Sequence, residues 1–128
     1  MKSSKDLLFN LLSIPSPTYQ EQKKCDFLAG WLEAHLPQLN CERIDNNIIA
    51  TSRNDQPEKE HIAFVGHIDT VPEFFEPYEE NDRIFGSGAS DMQAGLACML
   101  WFLKEHYNTI ENHYRISILI YSNSNFIL

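Results

Sequence analysis

The chain is short of the features that announce several protein classes. Three of its 128 residues are cysteine, Cys25, Cys41 and Cys98, an odd number at wide spacings. No C-x-x-C pair exists, so neither a disulfide framework nor a cysteine zinc site is suggested, and reduced, largely buried thiols are expected. Basic residues are scarce. Ten Lys and Arg stand against 18 Asp and Glu, a formal net charge of −8. Such a surface repels a phosphate backbone, so no nucleic-acid partner is expected. Long apolar runs are also missing. The longest, Ala94 to Leu103 counting Gly95, falls far below the ~20 residues a membrane-spanning helix needs. The N-terminus has one short apolar patch, an internal aspartate and no small-residue cleavage site, which speaks against a signal peptide. A soluble, cytoplasmic protein with no membrane partner is therefore expected. Phosphate-binding and serine-nucleophile signatures are lacking too. Asp91 occupies the place of the third glycine in a G-x-G-x-x-G, no G-K-[ST] follows, and there is no G-x-S-x-G.

What is present is the patterning of one globular α/β domain, with 43% hydrophobic residues. Leu7, Leu8, Leu11 and Leu12 form a helical stripe over residues 4–13, ended by Pro15 and Pro17. Thr18-x-x-Glu21 has the form of a capping box opening a second helix. That helix has an apolar face of Cys25, Leu28, Leu32 and Leu36, flanked by Trp31, and ends at Pro37. Residues 40–53 read as two strands about an Asn46-Asn47 turn, and residues 54–60 as a charged loop. Ile62–Val65 reads as a strand buried on both faces. The acidic stretch 73–83 reads as a solvated loop. Ala94–Leu103 reads as a helix buried all round, with Trp101 and Phe102 in the core and Lys104, Glu105 and His106 at its polar end. Arg115–Tyr121 is a last strand. The implied fold is α/β, a mixed β-sheet flanked by helices.

Two junctions carry chemistry. His67-Ile-Asp69 follows an apolar strand, and extended residues i and i+2 point to one side. Imidazole is a good zinc ligand, and a carboxylate can orient its ring. Gly86-Ser-Gly88-Ala-Ser-Asp91 then turns sharply onto a helix, which favours a carboxylate at its start. Taken alone, each has an ordinary reading: a surface histidine beside a solvated aspartate, and a helix capped by Ser90 and Gln93. His35, His61, His106 and His113 read as surface or strand-end residues.

Together, G-H-I-D-T-V-P and G-S-G-A-S-D-M-Q-A-G resemble the co-catalytic zinc aminoacylase and exopeptidase family. That family includes succinyl-diaminopimelate desuccinylases, acetylornithine deacetylases and glutamate-releasing carboxypeptidases. The L-L-x-x-P-S-P-T-x-x-E pattern from Leu11 to Glu21 is similar to its opening helices. The resemblance implies that His67 is a terminal ligand of one zinc, that Asp69 clamps that histidine, and that Asp91 bridges two zincs. It implies a cis peptide at Asp91–Met92, with cobalt able to replace zinc. It also implies hydrolysis of an amide in an N-acyl amino acid or dipeptide by a homodimeric parent protein. The T-V-P and G-S-G-A-S-D-M runs bring the expectation nearest to a desuccinylase of diaminopimelate and lysine biosynthesis. Acetylornithine deacetylase or dipeptidase activity is the alternative.

The chain departs from the pattern at Ser87 and Gln93, where arginine and lysine are frequent, which bears on the assignment of the substrate. A larger departure lies at its end. The family's Glu-Glu pair, base and ligand, has no counterpart after the last strand, and no acid follows Glu111. Residues 1–128 are therefore expected to be an N-terminal portion of a zinc hydrolase catalytic domain, without the smaller dimerisation and lid domain. The rival expectation is a non-catalytic folded fragment that acts through self-association.

Overall fold

The structure, a computed structural model, describes residues 2–53 and 56–122. Helix α1, Ser4–Leu12, is capped by Ser3, whose side chain accepts from Asp6 N, as a serine at this position favours. It buries Leu7, Leu11 and Leu12. Helix α2, Gln22–His35, starts later than the capping box implies. No side chain caps it. The Thr18 hydroxyl instead donates to Asp69 Oδ2 at 3.0 Å, and Glu21 Oε1 accepts from Tyr19 N. The expected apolar face of α2 is buried, together with Lys24.

Strands β1, Leu39–Ile44, and β2, Asn47–Ser52, form a hairpin. Its turn lies one residue earlier than expected: Ile44 pairs with Asn47, and Asp45 takes the positive φ of 54°. Strand β3, Glu60–His67, and β6, Tyr114–Tyr121, complete a mixed sheet of order β1-β2-β6-β3. β6 runs antiparallel to β2 and parallel to β3. Among the described residues β3 is an edge strand. This corrects the reading of Ile62–Val65 as buried on both faces: Ala63 is exposed and Val65 is 45% exposed.

The parallel β3–β6 pair requires a crossover, which helix α3, Ala94–Glu111, supplies. It is longer than the apolar run and passes through Lys104–His106. It buries one face only, Leu96, Ala97, Leu100, Leu103 and Tyr107. Phe102 is 46% exposed and Trp101 partly buried, so only the Leu96–Tyr107 row is core. The acidic stretch is not simply a loop. It holds a short hairpin, β4, Tyr78–Glu80, and β5, Arg83–Phe85, turned by Asn81 and Asp82 at positive φ. Lys5 pairs with Glu79 and holds this hairpin to α1.

The helices lie on one face of the sheet. Ile48, Ala50, Ile116, Ile118 and Ile120 join the buried leucines of α1, α2 and α3 in one core. Of the three free cysteines only Cys25 is buried; Cys41 and Cys98 are exposed, contrary to the expectation for thiols. No helix among the described residues is long and apolar enough to cross a membrane. The acid-free tail concerns residues 123–128 and the first part of the charged loop concerns residues 54–55, all outside the described residues.

Candidate metal centre

His67 is the last residue of β3, and Ile68 N donates to Tyr121 O at the end of β6. The carboxyl ends of parallel strands are where α/β sheets place ligands. The segment beyond is clamped by the loop between α1 and α2. Ser16 Oγ donates to Ile68 O at 2.7 Å, Thr70 N donates to Ser16 O at 2.8 Å, and Pro17 bridges to Thr70. With the Thr18–Asp69 bond, three consecutive residues, Ser16, Pro17 and Thr18, hold the three residues after His67. Sequence reading assigned this motif only to helix ends. Its proline-serine spacing marks a rigid turn but gives no sign of a partner some fifty residues away.

Asp91 arrives by a different route. Gly88 takes φ +75°, and Ala89–Gln93 forms a widened turn in which Asp91 (φ −129°, ψ 92°) and Met92 leave helical geometry. The Asp91–Met92 peptide is cis, as the family resemblance implies. The alternative of a Ser90/Gln93 cap is not what forms, since no side chain caps this turn. Gln93 is buried and donates from Nε2 to Ile68 O at 3.3 Å. Ser87 is also buried, donating to Glu73 O and accepting from Phe75 N. Both departures from the family pattern thus point inward, where they hold backbone.

The two junctions converge. His67 Nε2 lies 3.0 Å from Asp91 Oδ1. On the other side of the ring, Nδ1 lies 3.1 Å from Asp69 O and 3.2 Å from Asp69 Oδ1. Two acceptors face Nδ1, so Nδ1 carries a ring proton. A carboxylate oxygen faces Nε2, and that contact is held by a cation between the two atoms, a proton or a metal ion. An imidazole nitrogen oriented by one carboxylate and joined by a second is a donor set suited to zinc. The Asp91 side chain is 86% exposed and so open to a ligand. The pair borders a cleft of about 900 Å³ whose walls include Thr18, Asp69, Phe75, Arg83 and Phe85. Among the described residues no group of three or more His, Cys, Asp or Glu is arranged so that it could hold a metal ion by itself. His67 and Asp91 therefore fit as part of a metal site, whereas a closed zinc site takes about four donors.

Beneath this pair, Lys24 Nζ donates to Gln93 Oε1 at 2.9 Å, and burial pushes its amine down to about 7 from 10.5. Between those values the unfolded chain binds more protons than the folded one, so stability rises with pH. Unfolding free energy from urea titrations should climb between pH 7 and about 8.5, by up to about 1.4 kcal/mol per unit. Lys24→Met should flatten the climb; an unchanged slope would remove Lys24 as its source. Burial raises the Cys25 thiol from 9.0 and the Tyr107 hydroxyl from 10.0, which acts in the opposite sense at higher pH.

The fold is α/β, a mixed sheet flanked by helices, with a histidine–carboxylate pair at its carboxyl edge. Residues 63–123 match the family described as Peptidase family M20/M25/M40. The match takes in just under half of the chain and includes His67, Asp69 and Asp91. The chain is 32% identical over 108 residues to succinyl-diaminopimelate desuccinylase of Nitratiruptor sp., covering 78% of this chain and 29% of that protein. It is 35% identical over 96 residues to the [LysW]-lysine/[LysW]-ornithine hydrolase of Sulfurisphaera tokodaii, covering 75% and 25%. A crystal structure of a tripeptidase from Staphylococcus aureus superposes with a TM-score of 0.75 at 24% identity, over 91% of this chain and 35% of that one. The chain thus spans less than a third of the length of these curated relatives.

Proposed function

We propose that residues 1–128 supply the N-terminal portion of the catalytic domain of a zinc-dependent hydrolase. Its bond would be the amide of an N-acyl amino acid, with N-succinyl-diaminopimelate as the favoured substrate. The observation that carries the reading is the convergence of His67 Nε2 and Asp91 Oδ1 at 3.0 Å, with Asp69 on the far side of the ring. The desuccinylase name of several relatives supports the substrate. In this reading His67 and Asp91 would hold metal, Asp91 through a carboxylate able to serve two ions. The remaining donors and the general base come from outside the described residues. A bound divalent metal supplies Lewis acidity toward an amide carbonyl and toward water.

The chain's own residues position the pair. Asp69 fixes the His67 tautomer, so that Nε2 offers its lone pair to the cleft. Thr18 holds Asp69 by its second oxygen. Ser16 and Thr70 keep the backbone on either side in place. Asp91 sets a negative oxygen on the open side of the ring.

The test loads the whole hydrolase that contains residues 1–128 with zinc or cobalt and offers it N-succinyl-diaminopimelate, N-acetylornithine and a dipeptide. Release of succinate should exceed turnover of the other two, stop with a chelator and return with zinc. Preference for either competitor would reassign the substrate. Bound zinc with no turnover of any of them would favour a non-catalytic, self-associating chain, which sedimentation would then detect.

A further inference from the structure

A buried polar chain joins the two junctions that carry His67 and Asp91. Gln93 is 0% exposed and lies two residues beyond Asp91. Its Nε2 donates to the carbonyl of Ile68, the residue between His67 and Asp69. Its Oε1 accepts from Lys24 Nζ. Lys24 projects from α2 into the core, is 1% exposed, and makes no ion pair among the described residues.

A buried amine without a counter-ion is costly, and methionine or leucine would fill the same space without that cost. Packing alone does not account for it. What the amine adds is a donor aimed at one end of the Gln93 amide. An amide has two chemically different ends of nearly equal shape. With Oε1 held by Lys24, the N–H is the end that meets Ile68 O. Turned the other way, two carbonyl oxygens would face each other and the amide would face the amine with its own donors. Lys24 therefore decides the orientation, and Gln93 transmits it to the backbone.

We infer that Lys24 and Gln93 are positioning residues, a buried clamp that fixes the spacing of the His67–Asp69 segment against Asp91. The inference rests on the proposed metal role of His67 and Asp91, and it also has a readout that needs no metal. Three variants of the full chain test it: Lys24→Met, Gln93→Glu and the exchange Lys24→Gln/Gln93→Lys. Gln93→Glu keeps the volume and gives Lys24 a counter-ion, yet removes the donor to Ile68 O. It thus serves where Lys24→Met fails to fold. Zinc affinity is measured by competition with a chromophoric chelator. The ¹⁵N signals of the His67 ring are measured in metal-free protein, and the thermal midpoint is recorded for each variant.

Lys24→Met and Gln93→Glu should each weaken zinc binding by about 10–100-fold and shift the His67 signals. Their combination should be no worse than the poorer single change. The exchange, which restores a donor to Ile68 O and an acceptor for the amine, should recover affinity to within about threefold. A lower midpoint with unchanged zinc affinity and unchanged His67 signals would overturn the inference and leave the pair as core support. An exchange that melts like wild type without recovering affinity would overturn it too. If the wild-type chain binds no zinc, the metal reading fails, and the His67 signals alone decide for or against the clamp.

Discussion

Asp91→Asn is expected to abolish the metal-dependent hydrolysis proposed above, lowering kcat/KM on the order of 10³-fold, or about 4 kcal/mol of transition-state stabilisation. The substitution keeps the volume of the side chain and changes its charge. The Asp91 carboxylate reaches His67 Nε2 with one oxygen, and most of its surface is open to the cleft. A neutral amide would present one oxygen and one N–H₂ group. It could neither be shared between two cations nor balance them. Zinc stoichiometry, read by elemental analysis after dialysis, should fall together with activity. Stability should barely move, because surface changes of this kind usually stay within about 0.5 kcal/mol. Full zinc content and full turnover in Asp91→Asn would remove Asp91 from the metal centre. Loss of both with a collapsed thermal midpoint would mark it as a folding residue instead.

Gly88→Ala should act through the fold. Gly88 holds φ +75°, a conformation that costs an L-residue about 1–2 kcal/mol. An alanine Cβ there would lie 2.4 Å from Thr70 Cγ2 and 3.2 Å from the Asp91 carbonyl oxygen. Thr70 has little room to retreat, since its N–H is bonded to Ser16 O and its strand bridges to Pro17. Overpacking of this kind adds about 1–3 kcal/mol, for a total of about 3 kcal/mol. Urea midpoints would measure it. The same change in a Thr70→Ser background removes the methyl that is struck, and should recover the overpacking share while leaving the backbone share. Full recovery there would mean that the positive φ costs nothing, and no recovery would mean that the clash is not with Thr70.

Much of this architecture is legible in the residues. The leucine stripe of α1, the apolar face of α2 and the alternation of β6 are periodic signals, and each lies where its period places it. His67 and Asp69 follow from the two-residue repeat of an extended chain. The rest was hidden for physical reasons. β4 and β5 are three residues each, too short to show alternation inside an acidic stretch. The apolar run of α3 says nothing of which face meets the sheet, and Phe102 lies on the other face. Thr18 fits a capping box by sequence, but the helix begins only at Gln22, beyond the reach of a Thr18 cap, and the Thr18 hydroxyl donates to Asp69 instead. Lys24 was open to detection. It stands four before Leu28 and seven before Trp31, on the same buried row, so helical spacing alone puts an amine in the core. Its partner Gln93 could not be found from sequence, because the bond depends on how α2 and α3 pack.

The strand order has a consequence for how the chain acquires this shape. Among the described residues β6 is the last strand in sequence, yet it lies between β2 and β3 and pairs with both. Until Tyr114–Tyr121 has been synthesised, the β1–β2 hairpin and β3 have no common neighbour, and each presents a bare edge. The pairings that join the sheet span long sequence separations, the kind of contact that slows folding. A nascent chain that has passed residue 91 but not 114 holds His67 and Asp91 on elements that β6 has not yet joined. Its open edges are then targets for chaperones or for other copies of the same intermediate.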